Sequence, residues 1–367
     1  MNEEKNMQFV NIDVDTTGLY QVPTSDKGTV AIVGVGTGSG SLVPVKLGSY
    51  AEVDAIYPTD SELSLAIKLA FENGASGVWA VEIDDPKSLT GVENALEVLE
   101  TKDVQIVVLA NTVELSDTAY ISSALDNHVA SSVTERVGVF MLASGEDAST
   151  MPAAIGNLMS QNTTRLIGIA HNTTSDVAAA VAGLLAGLDP WDSPVMKPLS
   201  GISTPSADFT TTQFSLMDAA NINPIFDPLY FAGTSLVLKS GYTLGTRAGG
   251  IYLVDVRRAI DDIVYKLKTG LTSPAVIGNL RINKSGMASL RNHINSIMQA
   301  AVNLGEIDSF AVNIPVATAL AVDQNARTPT QATIITTART NRAVDVTVAI
   351  EYSGAIHTLN MTVAFSA

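Results

Sequence analysis

Two hydrophobic rhythms run along this chain. Between residues 29 and 170, short apolar runs alternate with amphipathic segments. The runs 29–35, 77–83, 104–109, 137–142 and 165–170 read as strands buried on both faces. Segments 61–73, 92–99, 117–131 and 150–160 keep helical spacing, and helix resumes over 175–188. Fully apolar strands separated by such helices predict a largely parallel sheet covered on both faces.

The rhythm breaks at Asp189-Pro190-Trp191 into a Pro-, Ser- and Thr-rich stretch reaching about Thr212, which reads as a domain junction. Beyond it come a short helix over 213–220, strand-like segments at 225–231 and 235–239, and a Gly-rich turn over 245–250. A strand then enters a helix over 251–268, and a second helix over 287–304 carries Leu290, Ile294, Ile297, Met298 and Ala301 on one face.

The two ends carry the second rhythm, a strict alternation. Val10, Ile12 and Val14 fall on one face of a short strand, separated from the body by a polar stretch. Near the other end Val344, Val346, Val348 and Ile350, then Leu359, Met361 and Val363, alternate almost to the last residue. Chain ends normally fray, and a lone strand is unstable, so each must pair with something, in this subunit or another. The expected class is α/β: mixed sheets flanked by helices, with extended β-strand arms at both termini. The expected organisation is an N-terminal linking arm (1–24), an outer α/β domain (25–190), an inner α/β domain (191–342) and a C-terminal linking arm (343–367).

Composition narrows the role. Of 367 residues, 46% are hydrophobic and 16% charged, so a substantial core forms and much of the surface is weakly charged, as suits a protein packed against its own copies. The net charge of −16 argues against direct nucleic-acid binding, which needs a basic patch. Cysteine is absent, which removes disulfides and Cys-ligated zinc. No apolar core follows a basic flank at the start, and the longest apolar stretch, 177–188, falls short of the roughly 18–20 residues of a membrane span. A soluble chain made in the cytosol, with no membrane insertion, is expected.

Motifs for chemistry are missing. Gly34-Val35-Gly36-Thr37-Gly38-Ser39-Gly40 follows an apolar strand, but the dinucleotide register fails at Ser39 and Ser41, no helix begins there, and no Gly-Lys-Ser/Thr triplet follows. It reads as a loop that reverses the chain. Of His128, His171, His293 and His357, no two are spaced for one helix face, so no metal site is assigned. His171 ends an apolar strand, where α/β enzymes place catalytic groups, but reads better as a loop histidine. Asp261 and Asp262 lie four residues after Arg257 and Arg258 and read as solvated helix pairs. No enzyme and no cofactor is expected.

Three passages follow one another along the chain: Ala70-Phe71-Glu72-Asn73-Gly74-Ala75 leading into Val78-Trp79-Ala80-Val81, the stretch Leu216 to Ile225 with its Ala220-Asn221-Ile222-Asn223, and Gly245-Thr246-Arg247 followed by Tyr252-Leu253-Val254-Asp255-Val256-Arg257-Arg258. In this order they resemble contractile tail sheath proteins. The family's Trp-Gly-Ala-Arg-Thr passage is replaced by Ser240-Gly241-Tyr242-Thr243-Leu244.

The resemblance implies a virion-tail or injection-system subunit, assembled in the host cytoplasm, that stacks helically around a tail tube. Such a subunit contracts without ATP and meets baseplate and tail terminator proteins. It also implies that terminal arms add strands to neighbouring subunits. Arg257, Arg258, Lys266 and Lys268 are then candidates for the tube-facing surface. Two rivals remain: an α/β nucleotide- or small-molecule-binding enzyme, and another self-assembling shell protein.

Overall fold

The computed structural model describes residues 28–37, 41–113, 120–132, 134–229, 236–249 and 251–357. Val10, Ile12, Val14, Leu359, Met361 and Val363 therefore lie outside the described residues.

The apolar runs form the centre of one sheet. Its strands are β1 (Val30–Val35), β2 (Val45–Leu47), β3 (Val78–Ile83), β4 (Ile106–Leu109), β5 (Val137–Met141), β6 (Leu166–Ala170), β7 (Asn223–Phe226) and β8 (Val237–Leu238). They lie in the order β2-β3-β1-β4-β5-β6-β7-β8. Neighbours from β3 to β7 are parallel, and β2 and β8 are antiparallel edges. The chain moves outward from β1 in both directions, with Val30 in register with Val78 on one side and Ile106 on the other.

Alternate side chains of each strand enter two cores. Val30 and Ile32 pack with the helices α1 (Tyr50–Ile56), α2 (Glu62–Glu72) and α6 (Val177–Gly187). Ala31 and Val33 pack on the other face with α3 (Leu89–Leu99), the π-helical turn Tyr120–Leu125 that runs into α4 (Asp126–Ser131), α5 (Ala153–Ser160) and α7 (Thr211–Ala219). Two-sided burial is why these strands are apolar throughout. The Ala- and Gly-rich α6 is buried almost all round because it lies against α2 at backbone distance. A Cβ on Gly183 would stand 2.2 Å from the Ala70 carbonyl oxygen. Among the described residues, no helix is long and apolar enough to cross a membrane.

The expected boundary at 190/191 is corrected by the sheet. The Pro-rich stretch is a surface excursion, after which α7, β7 and β8 return to the first sheet. Asn223 shows why. Its side-chain nitrogen donates to Gly168 O (3.0 Å) and Tyr242 O (2.8 Å), and its oxygen accepts from Tyr242 N (2.7 Å), stitching β7 to β6 and to the following loop.

A second unit begins at α8 (Val254–Leu271) and contains α9 (Lys284–Leu304), α10 (Pro315–Ala321) and α11 (Pro329–Asn341) around a smaller core of Ile263, Leu290, Ile294, Met298, Ile314 and Ile335. Local signals delimit these helices. Asn283 caps α9, Thr328 forms a capping box with Gln331 ahead of Pro329, and Gly305 ends α9 in the left-handed conformation (φ 77°). Two strands, β9 (Ser309–Asn313) and β10 (Thr347–Glu351), pair antiparallel against this unit.

Candidate assembly surface

The alternation at the C-terminal end is realised as β10. Val348 lies opposite Val312 and Ile350 opposite Phe310, and Phe310, Val312, Val344 and Val348 pack on the α9 core. The opposite face carries Ser309, Ala311, Asn313, Thr347, Ala349 and Glu351, all exposed. The pairing expected for Val344, Val346, Val348 and Ile350 between subunits is thus, for β10, satisfied within the subunit. The outer edges of β9 and β10 have no strand partner among the described residues. A two-stranded ladder with two open edges is a template for further strands.

Beside β9 runs a polar groove of about 590 Å³ lined by Arg291, Asn292, Asn295, Gln299, Phe310 and Val312. It belongs to the polar face of α9, opposite the apolar stripe that fills the core. Lys284 and Arg291 are seven residues apart and share that face. Arg339 at the end of α11 donates to Ile282 O (3.2 Å), which brings Arg339 close to Arg281 and Lys284. Arg281, Lys284, Arg291, Arg339 and Arg342 make no ion pair among the described residues, and the Arg291 Nε is buried without a hydrogen-bond partner there.

The cations expected to face a tube lie elsewhere, and for three of them the expectation is corrected. Arg257, Arg258 and Lys266 are buried inside the subunit. Arg257 pairs with Asp261, which also receives Arg165 from the sheet at 3.0 and 3.2 Å. Arg258 donates to the carbonyls of Leu188 (3.2 Å) and Asp189 (3.4 Å). Burial brings the pKa of Arg258 down to about 10. Lys266 sits between Asp262 (2.5 Å) and Glu306 (2.7 Å), with the Trp191 ring 5.4 Å away. Lys268 alone remains exposed, and it pairs with Glu135. The expected Arg257–Asp261 pair exists, but it is buried rather than solvated, because α8 is the helix that fastens the second unit to the sheet.

The position where an α/β enzyme would bind a ligand is a cleft of about 580 Å³ at the carboxyl ends of β1, β3 and β4, lined by Gly36, Asp60, Glu62, Asp85, Lys87 and Asn111. Its cation is engaged internally. Lys87 donates to Ala110 O (2.8 Å), Asn111 O (3.1 Å) and Thr112 Oγ1 (3.1 Å), and it pairs with Glu62 at 2.7 Å. Asp176 accepts from Asn111 N and caps α6 through Ala179 N, and burial raises its carboxyl pKa. His171 is buried, with Nε2 2.9 Å from Leu142 O and Nδ1 3.2 Å from Thr173 Oγ1, so both ring nitrogens are engaged. Among the described residues, no group of three or more His, Asp or Glu is placed to hold a metal ion.

No family model and no curated protein matches the chain. Solved structures do. The helical sheath of the anti-feeding prophage (AFP) in its contracted state superposes with a TM-score of 0.68 at 15% identity, covering 98% of this chain and 99% of that one. A chain of the AFP baseplate gives 0.71 at 15% identity, with 98% of each covered. The sheath tail protein of Desulfitobacterium hafniense gives 0.62 at 10% identity, over 83% of this chain and 93% of that one. This chain has the contractile-sheath fold. The α/β class expected from the sequence is the class of that fold, and the likeness extends over both units of the chain and nearly the whole length of the AFP sheath protein.

The basic stripe on α9 was legible in principle. Lys284 and Arg291 recur on the polar side of a strongly amphipathic helix. The adjacent pair Arg257-Arg258 is the more conspicuous in the sequence, although acids four residues on already supply partners.

Proposed function

We propose that this chain is the repeating structural subunit of a contractile sheath, in a virion tail or an injection system, and that it polymerises helically around a tube. The observation that carries this reading is the end-to-end match with the AFP sheath protein, 98% of this chain against 99% of that one. The open edges of β9 and β10 support it. The strand-patterned segments 10–14 and 358–367 of neighbouring copies would add to them, joining subunits by main-chain hydrogen bonds that survive rotation of one subunit against another. Such a lattice stores its energy at assembly and contracts by burying more surface, so it needs no catalytic centre and no nucleotide.

The tube-facing role passes from α8 to the cations of α9 and α11. Arg281 and Lys284 lie at the N-terminal end of α9, where the helix dipole is already positive. That placement is locally unfavourable and would be relieved by an acidic partner surface. Tube, baseplate and terminator proteins are the proposed partners, with the tube on this face.

Negative-stain microscopy of the purified full chain tests the reading, with long hollow helical tubes as the expected product. Deleting residues 1–15 or 358–367 should leave a folded subunit that forms no ordered tubes. Normal assembly by either truncated form overturns the linking role. Uniform small particles from the intact chain overturn the sheath reading itself.

A further inference from the structure

The turn that leads from α9 into β9 is pinned to α8 by buried charge. Glu306 is fully buried in that turn, and Lys266 Nζ on α8 lies 2.7 Å from its Oε2. Lys266 also pairs with Asp262, one turn earlier on α8, and the Trp191 ring stands 5.4 Å from its ammonium. Burial works against the Lys266 charge, but the two carboxylates outweigh it and raise its pKa, so the ammonium keeps its proton. Two buried carboxylates thus share one cation.

The surrounding groups do not correct the imbalance. Tyr352, just past β10, has its pKa raised by burial and then by the charges of Asp255, Glu306 and Asp192, so it stays neutral. Arg258, on the same helix as Lys266, shares its charge among Asp262, Asp189, Asp192 and Asp261. Asp308, in the same turn as Glu306, is exposed. Glu306 Oε1 is buried without a hydrogen-bond partner among the described residues. With both carboxylates ionised, the site holds an excess negative charge and an unmet acceptor out of reach of water, which is costly. One proton on Glu306 removes the excess and leaves Lys266 paired with Asp262. Burial and the Asp262 charge both favour that proton, against the pull of Lys266.

Backbone bonds close the same turn. Gly305 N donates to Val302 O (3.0 Å), Glu306 N to Ala301 O (3.1 Å), and Asp308 N to Glu351 O (2.9 Å) at the start of the β9–β10 ladder. Bringing Glu306 to water requires these bonds to open.

We propose that Asp262, Lys266 and Glu306 form a proton-operated latch that holds the start of β9 against α8, closed with one proton bound and loosened when that proton leaves. A carboxyl that binds its proton more tightly in the closed turn than in the open one stabilises the closed turn fully in acid. That stability is lost as pH rises through the closed-state pKa. The latch acts on the first rung of the ladder whose outer edges are open, so acidity would set how firmly the assembly sheet is seated. That consequence rests on the sheath reading, whereas the latch itself does not.

Hydrogen exchange on the full-length, unassembled chain tests the latch, with each rate divided by that of an unstructured peptide at the same pH. Protection at the Gly305, Glu306 and Asp308 amides should fall by about tenfold or more between pH 5 and pH 8. In Glu306→Gln it should stay within about twofold over that range. Asp262→Asn removes the competing carboxylate and should move the midpoint of the fall to lower pH. Lys266→Met removes the cation and should move it to higher pH, and if that variant does not fold, Asp262→Asn decides alone. No fall in the unmodified chain, or a fall that survives in Glu306→Gln, overturns the latch. An unmoved or raised midpoint in Asp262→Asn overturns the shared proton. A chain that forms no tubes would refute the sheath reading, and the exchange result would still decide the latch.

Discussion

Glu306 is fully buried at the turn between α9 and β9, and removing its charge should stabilise the subunit. Burial, with the negative charge of Asp262 adding to it, pushes its carboxyl pKa from an ordinary 4.5 up to about 7, against the pull of Lys266. A carboxyl with a raised folded-state pKa binds more protons folded than unfolded between those two values. Stability from this group is therefore fully present below pH 4.5 and is lost as pH rises through 7. At about 1.4 kcal/mol per pH unit, the displacement corresponds to about 3 kcal/mol.

Glu306→Gln keeps the shape and an acceptor for Lys266 and fixes the side chain in its neutral form. Urea unfolding of the unassembled subunit at pH 5, 6, 7 and 8 measures the difference through the midpoint and slope. The variant should lie within about 1 kcal/mol of the wild type at pH 5 and exceed it by about 3 kcal/mol at pH 8. A difference that does not change with pH would refute the reasoning. So would a variant that loses most stability at high pH, since the Lys266–Glu306 pair would then be a net stabiliser, as some buried pairs are not.

Arg136 is fully buried, donating to the carbonyls of Leu99 (2.8 Å) and Lys102 (2.8 Å) at the end of α3 and to His128 Nε2 (2.8 Å). Arg136→Met should cost about 2–4 kcal/mol by orphaning these acceptors, read as a lower thermal midpoint. The same contact requires a neutral His128, whose pKa burial and then Arg136 lower from 6.5 to about 4. The folded state therefore binds fewer protons in that range, and stability from His128 is lost as pH falls from 6.5 through 4. His128→Gln should flatten that acid limb in urea melts at pH 4–7. Gly183→Ala should destabilise by about 3 kcal/mol, because the new methyl meets the Ala70 backbone rather than a side chain that can move. An unchanged midpoint would mean that α2 and α6 slide apart at little cost.

The sequence by itself determined the elements whose cause is local or two-sided. Strands β1, β3, β4, β5 and β6 are legible because burial on both faces leaves no polar position to blur them. Helix α9 is legible because one face alone is apolar. The resemblance carried in ordered passages such as 216–225 pointed to the fold that the solved sheath structures share. Strands β2 and β9 and helices α10 and α11 were not legible. Each is short or half-exposed, and its apolar residues are few and shared with neighbours distant in sequence, as Val312 is with Val348.

Tertiary structure alone decided where charges lie. Arg257, Arg258 and Lys266 read as a surface cluster on one helix, and packing turned that helix inward, where Arg165 just before β6 pairs with Asp261 and the Leu188 and Asp189 carbonyls at the end of α6 accept from Arg258. The arms divided in the same way. Alternation predicted that residues 344–350 must pair, and only the fold decided that β10 pairs first with β9 of its own subunit, leaving two edges open. Hydrophobic period reports which residues need burial or pairing. It does not report which element meets them, because that depends on contacts between residues far apart in the chain, 70 positions for Arg258 and Leu188 and 133 for Lys268 and Glu135.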